Sequence, residues 1–238
     1  MTDQSYDWAV IYLEKKDTMP KDTFENLPEE KKALILDEAV EEFASNDYKN
    51  ASISRIVRRA GIAKGSFYQY FESKKDLFLY LISIAAREKA DFLYKHPPPD
   101  SEMNIFDRLR WLFSAGLKFE FSNPKLAQIG YRAIYGDATL LEESLEQIRK
   151  ASSQFYTDLV QEGITQGVIR KDIDPRLAAF MFDAVFMKLG DYMLEKLSIS
   201  RERLGEEGQK VLDTPEAEQI FNDLMMILES GMGYRSND

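Results

Sequence analysis

Along most of the chain the apolar positions recur three and four residues apart, the pattern of helices with one dry face. Leu36, Ala39, Val40 and Phe43 stand at i, i+3, i+4 and i+7 and predict a helix over residues 29–44. Leu27-Pro28 precedes it, and Glu29 and Glu30 put acids in its first turn, where the helix dipole favours them. Ser45 to Asn50 interrupts the pattern. Ile53, Ile56, Val57 and Ala60 restart it behind Ser52, a residue type suited to capping a helix. Gly61 stands where a left-handed residue would end that helix. A short helix is then expected from Ala63 to Phe71, with Ala63, Phe67 and Phe71 four apart on its inner face. Two short helices joined by a glycine-bearing turn make a helix-turn-helix, whose second helix enters the DNA major groove.

A long helix is expected from about Lys74 to His96, closed by Pro97, Pro98 and Pro99. Ile105, Leu109, Leu112, Phe113 and Leu117 outline the next, with Gly116 a soft spot inside it. Asn123-Pro124 opens a helix to about Tyr135, and another runs from Leu140 to about Gly163. Asp174-Pro175 and Thr214-Pro215 each pair a cap with a first-turn proline, predicting helices to Leu197 and to Ser230. The polar stretch Ser198–Asp213 between them reads as loop. No period-two alternation and no repeat breaks this all-α pattern. The division expected is an N-terminal extension over 1–28, a DNA-binding domain over 29–75 and a larger helical domain over 76–238.

Charge sharpens the picture. The 238 residues carry a net charge of −10, which by itself argues against a polyanionic partner. From Tyr48 to Lys75, however, there are seven bases and one acid, net +6, which leaves −16 for the rest of the chain. A basic segment on an acidic body is an electrostatic footprint for nucleic acid. Cysteine is absent, which excludes a disulfide framework and thiol catalysis. The one histidine, His96, sits against three prolines, so neither a histidine-based metal site nor a Ser-His-Asp triad is expected. There is no glycine-rich phosphate loop either, and the chain reads as a non-enzyme without cofactor, metal or catalytic residues. No run approaches the roughly 20 apolar residues of a membrane span. Trp8–Leu13 is short and lacks a basic lead, so a cytoplasmic protein is expected. Met19-Pro20-Lys21 offers a second start after an extension unlike the rest.

With Phe67 and Phe71 turned inward, Lys64, Ser66, Tyr68 and Gln69 face outward and Tyr70 lies at the boundary. Lys and Gln can bond base edges, while Ser and Tyr hydroxyls suit phosphate oxygens. Gly65 lets the backbone approach closely. Ser52, Ser54 and Arg55 start the first helix of the pair, where backbone contacts are expected, and Lys74 would hold phosphate on the far side.

The segment Ser52–Phe78, SISRIVRRAGIAKGSFYQYFESKKDLF, resembles the DNA-binding signature of the tetracycline-repressor (TetR) family. That pattern has a Ser/Thr cap, an Ala-Gly-Val turn, a Ser-Lys-Gly-Thr-Leu-Tyr-like run, aromatics ending in Phe, and Lys-Lys/Glu-Asp/Glu-Leu. Here Ala63 stands for the usual small polar residue, Ser66 for Thr, Phe67 for Leu, and Gln69 for a position often aromatic or His. The later stretch Glu162–Ala179 is similar to a weaker family segment.

The resemblance implies an all-α homodimer with a three-helix DNA-binding head and a helical body that binds a small molecule. It implies pairing through the last two long helices. The chain supports this separately, because residues 178–189 are apolar nearly all round and Ile220, Phe221, Leu224, Met225 and Leu228 form a broad stripe. For the unidentified effector, Trp111, Phe113, Tyr131, Tyr135, Phe155, Phe182 and Phe186 are the candidate lining residues. The expected mechanism is release of a repressor from a palindromic operator on effector binding. An activator of the same fold, or a helical interaction protein regulated by another protein, is the alternative.

Overall fold

The computed structural model describes residues 20–100, 103–135, 142–200, 203–205 and 208–233. Among them are α1 (Asp22–Glu25), α2 (Glu29–Ser45), α3 (Ile53–Arg59), α4 (Lys64–Tyr70), α5 (Lys74–Lys95) and α6 (Ile105–Ser122). Then follow α7 (Pro124–Tyr135), α8 (Glu142–Thr165), α9 (Pro175–Lys196), α10 (Gly208–Leu212) and α11 (Pro215–Met232). The helices form two compact units. One takes the chain up to Asp91 together with Lys125–Arg149, and the other takes Phe92–Pro124 and the chain from Lys150 onward.

The core of the first unit is aromatic and aliphatic. Phe24, Ile35, Phe43, Ile56, Phe67, Phe71, Leu77 and Leu81 are all fully buried in it. Phe24 comes from the stretch that sequence alone places in an extension. It lies 4.9 Å from Phe71 and 5.9 Å from Tyr70, ring centre to ring centre, so the packed head begins before residue 29. The left-handed turn expected at Gly61 is present, with φ of 64°, and the Ile62 amide closes it by donating to the Val57 carbonyl at 2.9 Å. α7 docks on the same core through buried Ile129 and Ala133. On its polar side Arg132 Nη1 donates to the carbonyls of Phe43 and Asn46, orphan acceptors at the end of α2. Lys125 pairs with Glu41 at 2.7 Å beside it.

The second unit has its own core, built on Leu109, Phe113, Leu117, Val160, Phe182, Met193, Phe221 and Leu228. Its helix starts follow their caps. Asp174 accepts from the Arg176 amide at 2.9 Å and Thr214 from the Ala217 amide at 3.3 Å. Gly116 is no soft spot. A Cβ there would lie 2.7 Å from the Phe186 ring, so the missing side chain is what lets α9 approach α6. The expected loop Ser198–Asp213 contains α10, because Leu212 is buried in this core and the Gly205 amide ties the segment to the Phe121 carbonyl at 2.7 Å. An isolated antiparallel bridge joins Ile169 to Gly233. No helix among the described residues is long and apolar enough to cross a membrane.

Candidate nucleic-acid interface

The packing of α3 and α4 decides which side chains face solvent. Ile53, Ile56 and Val57 turn inward from α3, and Phe67 from α4. That leaves Ser54 and Arg58, one turn apart, and Arg59 exposed on α3. On α4, Lys64, Gly65, Tyr68 and Gln69 are exposed and Ser66 is half-buried. Tyr68 is 48% exposed and stands edge-on against Phe67 at 5.1 Å, so its hydroxyl is held outward on a fixed ring. Ser52 occupies the cap position of α3, but its side chain makes no capping bond, and its amide donates instead to Glu42 Oε1 at 2.9 Å.

Three expected DNA contacts are placed differently. Tyr70 is only 6% exposed, its ring closed over by Phe24. Arg55 is turned onto Glu42, with Nε at 2.9 and 3.1 Å from the two carboxylate oxygens, and its Nη2 reaches the Asn50 carbonyl at 2.6 Å. Lys74 points inward. Its ammonium donates to the carbonyls of Tyr48, Lys49 and Ala51 at 2.7, 3.2 and 3.0 Å and lies 4.7 Å from the centre of the Tyr48 ring. All three protons are thus committed to the loop before α3.

The basic segment is therefore weaker as a surface than as a sequence. Arg55 and Arg59 are matched by Glu42 and Glu38, acids from α2 that lie just ahead of the segment and fold back onto it. Glu42 is 1% exposed. Burial pushes its carboxyl up, but the Arg55 pair, the Ser52 amide and Arg59 outweigh that, and the net result lies below the ordinary 4.5. Lys49, Arg58, Lys64 and Lys75 remain exposed. Sequence reasoning missed Lys21 and Thr23, which donate to the carbonyls of Tyr68 and Gln69. The signal available was Phe24, a lone aromatic in a polar stretch. Among the described residues no group of three or more His, Asp or Glu is arranged to hold a metal.

A family model described as "Bacterial regulatory proteins, tetR family" matches residues 35–81, and "Tetracyclin repressor-like, C-terminal domain" matches residues 103–233. The chain belongs to the TetR family. A TetR-family transcriptional regulator from Chloroflexus aurantiacus has the same fold, with a TM-score of 0.81 and 45% identity over 91% of this chain and 100% of that one. The "Fatty acid metabolism regulator protein" of Bacillus subtilis is 28% identical over 148 residues, 62% of this chain and 75% of that protein. The Bacillus subtilis regulator FadR, solved in complex with stearoyl-CoA, shares the fold at a TM-score of 0.59 and 22% identity, over 84% of this chain and 98% of that one.

In TetR terms the second unit supplies the body. Of the expected effector-lining residues, Phe113 and Phe182 are fully buried core, and Phe155 and Phe186 are half-buried against it. The Phe113 and Phe186 rings lie 5.5 Å apart. Trp111 is half-buried, with its indole N–H donated to the His96 carbonyl at 3.1 Å. Tyr131 is exposed and belongs to the first unit, and the Tyr135 side chain lies outside the described residues. A cavity of about 890 Å³ runs between α9 and α11, lined by Val185, Leu189, Tyr192, Ile220, Leu224 and Ile227 among others, and none of the expected residues lines it. Leu177, Phe180 and Met181 of α9, with Met226 and Ile227 of α11, are exposed.

Proposed function

We propose that this TetR-family regulator is a cytoplasmic homodimeric repressor that binds a palindromic operator through α4 and leaves it when the body takes up a small molecule. It acts by binding and not by catalysis. The reading rests chiefly on the exposed row Lys64, Gly65, Tyr68 and Gln69, carried on a seven-residue helix whose other side is fully packed. Lys64 and Gln69 have the donors and acceptors to bond base edges, and Tyr68, Ser66, Ser54 and Arg58 suit phosphate oxygens. Ser52, whose hydroxyl makes no capping bond, joins them at the start of α3. The exposed apolar residues of α9 and α11 support the dimer, which would set two copies of α4 about 34–36 Å apart on successive major grooves. The likeness to a fatty acid metabolism regulator and to a regulator solved with stearoyl-CoA supports, as the effector class we propose, a long-chain acyl chain, free or as its coenzyme A thioester.

Selection of bound duplexes from a random DNA library at fixed salt tests the reading. A palindrome is expected. Stearoyl-CoA should then weaken binding to that palindrome, and saturating duplex should weaken stearoyl-CoA binding by the same factor, because coupling between sites is reciprocal. Failure to enrich any sequence, with the ligand removed by denaturation and refolding, would move the chain to the interaction-protein alternative.

A further inference from the structure

The helix proposed to read DNA is only seven residues long, Lys64–Tyr70, and a helix of that length does not hold itself together in water. Its final carbonyls also lack partners within the helix. The Phe71 amide takes the Phe67 carbonyl at 2.9 Å. The carbonyls of Tyr68, Gln69 and Tyr70 are taken by a segment more than 40 positions earlier in the chain. The Lys21 ammonium donates to Tyr68 at 3.1 Å, the Thr23 hydroxyl donates to Gln69, and the Lys21 amide donates to Tyr70 at 2.9 Å. Phe24 stands behind these bonds, fully buried between Tyr70, Phe71 and Tyr80. The ammonium of Lys21 also lies 3.6 Å from Glu72, just past the helix end. A cation at a helix C-terminus opposes the negative end of the dipole.

We infer that residues 20–24 are a detached C-terminal cap for the reading helix and that Lys21 and Thr23 are positioning residues for DNA recognition. The carbonyls they hold belong to Tyr68 and Gln69, the same two residues whose side chains face outward. A bidentate amide contact to a base edge tolerates errors of only about 0.5 Å, so the backbone that carries Gln69 has to be fixed. The packed side of α4 cannot do this alone, because buried Phe67, Tyr70 and Phe71 hold its inner side while the carbonyls of Tyr68 and Gln69, on the turn that carries the outward side chains, have no partner within the helix. Thr23 and Lys21 close that turn from outside, and Phe24 anchors the closing segment in the core. The inference rests on the DNA-reading role proposed for α4, but the cap itself has a test that needs no DNA.

The test uses the full chain with Thr23→Val, which removes the donor at constant size and charge, and Thr23→Ser, which restores it. Hydrogen–deuterium exchange is expected to rise several-fold over residues 68–71 in Thr23→Val, with the other helices unchanged, and to return with Thr23→Ser. Affinity for the duplex selected by the unaltered protein should fall about fivefold, the effect of one hydrogen bond, with the salt slope unchanged. Lys21→Met should do the same. Unaltered exchange at residues 68–71 in both variants would overturn the cap. Lys21→Met lowering the salt slope by about 1, with exchange unaltered, would make Lys21 a phosphate contact instead and overturn its positioning role. If no duplex is selected at all, the exchange result still decides the cap, and the failure belongs to the proposed function.

Discussion

An ammonium can donate three hydrogen bonds, and Lys74 makes all three to main-chain carbonyls of one loop. That loop, Tyr48 to Ala51, leads straight into α3, so Lys74 fastens the start of α5 to the entry of the helix-turn-helix. Replacing it with Met keeps the length and removes every bond. Lys74→Met is expected to destabilise the protein by about 2 kcal/mol, the scale of hydrogen bonds to a charged group. DNA affinity should fall because the head loosens, while the slope of log K against log salt stays the same. Urea unfolding together with salt-titrated binding checks this. An unchanged unfolding midpoint with a slope lower by about 1 would return Lys74 to the phosphate contacts. The residue also marks a limit of legibility. Position along a helix told that Lys64, Tyr68 and Gln69 of α4 face out, since they follow from Phe67 and Phe71 turning in, while Ser66, expected outward with them, is half-buried. Nothing in that periodicity tells what stands across from a side chain. Tyr70 is covered by Phe24, Arg55 by Glu42 and Lys74 by a loop, and each partner comes from another part of the chain.

Between elements, the junction of α2 and α3 is held by charge as well as by packing. Glu42 sits on the buried face of α2, one residue before Phe43, where the apolar pattern would call for a hydrophobe. It accepts from Arg55 Nε, from Arg59 Nη2 at 3.1 Å and from the Ser52 amide at 2.9 Å, so it ties α3 to α2 at its first and last turns. Its carboxyl titrates below the ordinary 4.5 in the folded state, because these donors outweigh the burial that would raise it. A depressed folded value adds stability that is fully present above the unfolded value and is lost as pH falls through the folded one. Glu42→Gln is therefore expected to lower stability by about 2 kcal/mol at pH 7, and the gap from the unaltered protein should close as the pH drops below 4.5. Urea midpoints at pH 7, 5 and 3.5 would show it, and a gap that widens in acid would count against the pair. Helix starts were legible at this scale, because Asp174-Pro175 and Thr214-Pro215 carry their caps beside them in sequence. α10 was not, since its reason to fold is the contact of Leu212 with a core assembled from distant helices.

For the molecule as a whole, the two long C-terminal helices are apolar on both sides. Inward, Phe182, Met193, Phe221 and Leu228 fill the second core. Outward, Phe180 is 67% and Ile227 64% exposed, with Leu177, Met181 and Met226 also in water. Soluble monomers rarely leave a large apolar surface uncovered, and a self-complementary contact across a two-fold axis is the commonest way to cover one. The proposed dimer would also let a short reading helix bind tightly. Linking two half-site contacts makes the second one intramolecular, which multiplies affinity by about 10²–10⁴ without any new contact to DNA. The double variant Phe180→Glu with Ile227→Glu puts charge on two residues that the core does not use, so each chain should fold as before. Sedimentation velocity is then expected to show a monomer, and affinity for the selected palindrome should fall by about 100-fold or more, while binding to a single half-site is unchanged. The half-site measurement separates the two levels of the argument, since a variant that lost half-site binding as well would have damaged the head. A double variant that stayed dimeric would place the subunit contact on a different face, and the outward apolar residues of α9 and α11 would need another partner.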